Sequence, residues 1–66
     1  MASLYRELAA KLREAGCRMV RQGEGSHEIW YSPLSGRTFS VPANITSKRL
    51  ANEILKQAGL PRAVRF

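Results

Sequence analysis

His27 is the only histidine in the chain, and it stands in "GEGSHEIWYS" (residues 23–32), behind two glycines and a serine and ahead of an aromatic pair. An imidazole has an ordinary pKa of about 6.5, so near neutral pH it can take up a proton in one step and release it in another. That suits RNA cleavage: a base removes the 2′-hydroxyl proton, the oxygen attacks the adjacent phosphorus, and an acid protonates the departing 5′-oxygen. Arg21 and Arg37 are the cations expected to meet the charge that builds on phosphorus. Gly23 and Gly25 would let the backbone approach a phosphate, and Ser26 reads as a turn residue or a phosphate contact. One imidazole cannot begin as both base and acid. The other role falls to a weaker group, to water or to a second copy of the chain. The blander reading of His27 is a histidine satisfied within the core.

Other chemistries find little support. The chain has no Asp, so no Ser-His-Asp triad can be assembled around Ser26. Cys17 is the only cysteine; it cannot form an intramolecular disulfide and reads as a small buried hydrophobe, as in a protein of a reducing cytoplasm. No Cys/His cluster has the spacing of a metal site, and no cofactor motif is present. No apolar run approaches the roughly 18 residues of a membrane span. "MASLYRELAAKLREAG" mixes charges into its apolar residues, unlike an export signal. The expectation is a soluble cytoplasmic protein with no membrane partner. Eleven Lys and Arg against five acidic residues give a net charge of +6, which draws polyanions. Charge alone does not separate RNA, DNA and an acidic protein.

The elements that must position these groups follow from periodicity. Leu4, Leu8, Leu12 and Ala15 recur as one helical stripe, with Ser3 to cap its start, Gly16 to end it and Glu7 to Lys11 as an i,i+4 pair. "CRMVRQ" suits a strand and "GEGS" a turn. "HEIWYS" and "RTFSVP" bracket "PLSG" as an antiparallel hairpin, with Phe39 and Val41 on one face and Thr38 and Ser40 on the other. Strict alternation groups His27 with Ile29 and Tyr31, expected to be buried, so either the glycine turn frees His27 at the first position of the strand or that parity is reversed. The same alternation leaves Trp30 on the open face, free to stack on a base, or else packed against a partner protein or a helix edge. Leu50, Ile54 and Ala58 form a second helical stripe, capped by Thr46 or Ser47 and ended by Gly59, with Leu60 folding back and Pro61 forbidding continuation. Lys48 and Arg49 begin that helix, where charge and backbone N–H groups could hold phosphate. The tail, residues 61–66, is either loose or docked by Val64 and Phe66. The expected fold is a single α+β domain over residues 1–66, ordered α-β-β-β-α, with two helices covering one face of a three-stranded antiparallel sheet.

"GSHEIWYSPLSGRTFSVP" resembles the glycine-serine-histidine strand, polar loop and Thr/Ser-Val-Pro strand of HicA-type toxins, and "ANEILKQAGL" is similar to that family's closing helix. The resemblance spans nearly the whole chain and implies a fold like the double-stranded-RNA-binding domain. It further implies an mRNA interferase of a type II toxin-antitoxin pair, silenced by a HicB-type antitoxin over its active face, as a heterotetramer or a larger complex. The family's catalytic histidine carries over onto His27, and its preceding glycine and serine onto Gly25 and Ser26. Many relatives carry a basic residue where Glu24 stands and a second histidine where Glu28 stands. The segment after Pro42 is also shorter than in many members and lacks their usual Gly-Thr at the helix start. Two further functions compete with the nuclease: a non-catalytic module gripping RNA duplexes by shape, and a small basic DNA-binding protein, which no helix-turn-helix spacing supports.

Overall fold

The computed structural model describes residues 3–66, so the first two residues of the expected domain lie outside it. Its elements run α1 (Tyr5–Glu14), β1 (Arg18–Gln22), β2 (His27–Ser32), β3 (Arg37–Pro42) and α2 (Lys48–Gln57), followed by a short 3-10 turn at Arg62–Val64. This is the expected α-β-β-β-α order. The antiparallel strands lie in the order β1-β2-β3.

Each helix begins and ends where local chemistry requires. The Ser3 hydroxyl accepts from the Tyr5 amide at 3.3 Å, and the Leu4 amide donates to the Ile45 carbonyl at 2.7 Å. For α2 the cap is Ser47 rather than Thr46; its hydroxyl accepts from the Leu50 amide at 3.1 Å, a bond worth about 1 kcal/mol. Gly59, with φ +85°, ends α2: its amide donates to the Lys56 carbonyl, and Leu60 folds back to the Leu55 carbonyl at 3.1 Å. The same pair of bonds closes α1 through Gly16 and Cys17.

Leu8 and Leu12 of α1, Ile54 and Leu55 of α2, and Trp30, Phe39 and Val41 of the sheet form one core, so both helices cover the same sheet face. The loop between β2 and β3 locks the helix ends. A Cβ on Gly16 would lie 3.3 Å from Pro33 Cγ, and one on Gly59 would lie 3.3 Å from Leu34 Cβ. Beneath that loop the buried Ser32 hydroxyl donates to the Ala58 carbonyl and accepts from the Leu34 amide.

The tail is docked, not loose. Phe66 donates its amide to Asn52 Oδ1 at 2.8 Å, and Val64 and Phe66 pack on the core. Lys11, which the sequence pairs with Glu7, holds its ammonium over the Phe66 ring, 5.2 Å from the centroid. Among the described residues no helix is long and apolar enough to cross a membrane.

Candidate active site

Strand register decides which face His27 occupies. Trp30 pairs with Phe39 and Glu28 with Val41, and directly opposed residues share a face. Because Phe39 and Val41 are buried, Trp30 and Ser32 are buried with them, and His27, Ile29 and Tyr31 lie on the open face. The expected parity of this strand is therefore corrected. Trp30 has no exposed surface and cannot stack on a base. Ile29 and Tyr31 are only half-buried, and His27 is exposed rather than sealed in the core.

A hydrogen bond fixes the imidazole. His27 Nδ1 and the Ser40 hydroxyl lie 2.8 Å apart, with donor and acceptor set by the ring's tautomer. Ser40 sits opposite Ile29 and thus diagonally across from His27, within reach of an imidazole but not of a smaller side chain. With Nδ1 engaged, Nε2 is the nitrogen left to meet a ligand.

The turn before His27 is equally fixed. Gly25, at φ +58°, supplies the left-handed corner, and a Cβ there would touch nothing, so backbone geometry alone calls for glycine. His27 donates its amide to the Glu24 carbonyl at 3.0 Å, and Gly23 donates to the His27 carbonyl at 2.9 Å. The Gln22 side-chain amide bridges the carbonyls of Gly25 and His27 at 3.2 and 2.9 Å. Ser26 is exposed; its carbonyl accepts from the Ala43 amide, and its hydroxyl meets Asn44 Oδ1 at 3.4 Å.

Around this turn lies a shallow depression of about 350 Å³ lined by Arg21, Gly23, Glu24, His27, Ile29 and Ser40. Arg21 is on the neighbouring strand and pairs with Ile29 across a bulge at Val20. Its exposed side chain lines the depression, where the guanidinium can meet a phosphate.

Several expected site residues lie elsewhere. Arg37 pairs with Ser32 at the far end of the hairpin from His27, which pairs with Pro42. Five residues of strand, about 17 Å, separate the two ends, so Arg37 does not flank the imidazole. Lys48 and Arg49 are exposed at the start of α2, on the helix layer, and do not line the depression. Sequence reasoning passed over Ser40 and Glu24. Ser40 was legible as an open-face residue, and only the parity of β2 hid that His27 shares its face.

Glu28 lies on the opposite sheet face from His27. One of its carboxylate oxygens accepts from the Tyr5 hydroxyl at 2.7 Å and from Trp30 Nε1 at 3.0 Å. Burial, then the bond and negative charge of Glu28, push the Tyr5 phenol above its usual range, with Arg13 partly offsetting them. The Arg13 guanidinium covers the Trp30 ring at 5.2 Å. Tyr31 is the open-face aromatic of β2, with Arg18 above its ring at 5.2 Å. Among the described residues there is no group of three or more His, Cys, Asp or Glu side chains suited to a metal ion.

A small sheet with helices on one face and a single held imidazole on the other defines a class that comparison with known proteins makes specific. A family model described as the HicA toxin of bacterial toxin-antitoxin matches residues 5–60. This chain belongs to that family, and it is the toxin of a toxin-antitoxin system, with an antitoxin as partner. Searches of curated proteins and of solved structures give no significant match.

Proposed function

We propose that this toxin is an endoribonuclease that cuts mRNA without a metal ion or other cofactor, with His27 as its catalytic group. The observation that carries this reading is the exposed imidazole held through Nδ1 by Ser40 on an otherwise open sheet face. A ribose and its phosphate can reach Nε2 in the depression beside Arg21, whose charge meets that of the phosphorane. Attack by the 2′-oxygen forms the new O–P bond as the bond to the 5′-oxygen breaks, leaving a 2′,3′-cyclic phosphate and a 5′-hydroxyl. Gly25 and Ser26, exposed in the turn that precedes His27, are the groups assigned to a flanking phosphate. The net charge of +6 draws the polyanion. Tyr31 with Arg18 offers a stacking surface for an unpaired base further along the same face. Lys48 and Arg49, on the helix layer, add to the charge that attracts the RNA.

The substrate places the protein in the cytoplasm. A HicB-type antitoxin silences it by covering the open face, in a heterotetramer or a larger complex.

Purified wild type and His27→Ala are incubated with single-stranded RNA in excess EDTA. The expected result is cleavage by the wild type and a loss of about 10²- to 10⁴-fold in the variant, with binding retained. Wild type that leaves RNA intact while shifting duplexes on a gel would instead identify a passive binding module.

A further inference from the structure

The transesterification needs a base and an acid, and His27 supplies only one of them. The groups around the depression that can carry charge are Arg21 from β1, Glu24 from the turn and His27 from β2; β3 contributes the neutral Ser40. Arg21 remains a cation at any working pH and cannot accept a proton. The other carboxylates are placed away from the imidazole. Glu28 points to the opposite sheet face and binds Tyr5 and Trp30. Glu7 and Glu14 belong to α1 and Glu53 to α2, in the helix layer.

We propose that Glu24 is the general base of the reaction and that His27 begins as the imidazolium, the general acid. This rests on the nuclease reading above. The Glu24 carboxylate takes the proton of the 2′-hydroxyl as the 2′-oxygen bonds to phosphorus. His27 Nε2–H gives its proton to the 5′-oxygen as that bond breaks, while Nδ1–H donates to Ser40. Solvent then returns the proton from the carboxyl group to the imidazole, and charge and protons balance over the cycle. Preorganisation comes from the turn: the Glu24 carbonyl accepts the His27 amide, and the Gln22 side chain pins the carbonyls of Gly25 and His27. Glu24 is exposed, so its carboxylate stays open to a ribose entering from solvent.

The test compares wild type, His27→Ala, Glu24→Gln and Glu24→Asp in single-turnover cleavage across pH. Binding is measured separately on an RNA with 2′-deoxyribose at the cleaved position. The turn is held by the Glu24 backbone and not its carboxylate, so Glu24→Gln keeps the fold, which circular dichroism verifies. The expected result is a fall of about 10²-fold or more in kcat for Glu24→Gln with binding unchanged or tighter, since a negative charge is removed from a phosphate site. The wild-type profile is bell-shaped; Glu24→Gln loses its acidic limb and keeps the alkaline one, and Glu24→Asp recovers part of the rate. If Glu24→Gln cleaves as fast as the wild type while His27→Ala is dead, the base assignment is overturned and the nuclease reading stands. If the wild type does not cleave, both are overturned.

Discussion

The two faces of the sheet are built from alternate residues of the same strands, yet they treat polar groups in opposite ways. On the helix-covered face, Glu28 is spent on Tyr5 and Trp30, so its charge serves the packing of an indole that has no exposed surface. On the open face, the His27 ring is hydrogen-bonded to Ser40, and Glu24 in the adjoining turn leaves its carboxylate to solvent. A shift of one position along β2 separates a carboxylate that stabilises from an imidazole that can react. Strand pairing, not residue type, assigns the two roles.

The sharpest way to break this contrast is to truncate the two neighbouring aromatics. Trp30→Ala should cost about 3–5 kcal/mol, comparable to the entire stability expected of so small a domain, and leave a chain without a cooperative thermal transition. Tyr31→Ala should melt close to the wild type but bind single-stranded RNA more weakly by about 1–3 kcal/mol, read by fluorescence anisotropy. A folded Trp30→Ala would show that the covered face does not carry the fold. Removing the bond to the imidazole is a smaller perturbation. Ser40→Ala should lower kcat about 3- to 10-fold, the effect of one hydrogen bond, with KM and melting temperature nearly unchanged. A raised KM with unchanged kcat would assign Ser40 to binding instead.

The smallest effect concerns Tyr5. Its folded pKa lies above the ordinary 10.0, so the stability it contributes is complete below that value and is lost as pH rises through the raised one. Denaturation midpoints should decline on that alkaline side for wild type, and Tyr5→Phe should flatten the decline. An identical decline in both would exclude the phenol.

Much of the fold was legible because each helix carries a single apolar stripe bracketed by a cap and a glycine, and such signals are local. The face of β2 was not. Ile29 and Tyr31 on one side and Trp30 on the other give no clean alternation, and Glu28 on the core side imitates an outward residue. Its two donors come from Tyr5, 23 positions away, and from Trp30, a pairing that period-2 reasoning does not contain. Volume would have been the better guide, since the largest ring gains most from burial. Arg37 was misplaced for a simpler reason. In a hairpin that turns at residues 33–36, a residue next to the turn is far from one at the open end, and Arg37 was judged by charge without that geometry.

The loop from Pro33 to Gly36 presses on the C-terminal ends of both helices, at the end of the hairpin away from His27. Lengthening it would release two helix ends together, whereas exposed side chains around the imidazole can be exchanged with little loss of packing. Recognition can therefore diversify in this architecture faster than length can, and new substrate or antitoxin preferences are open to point substitution without a compensating change in the scaffold.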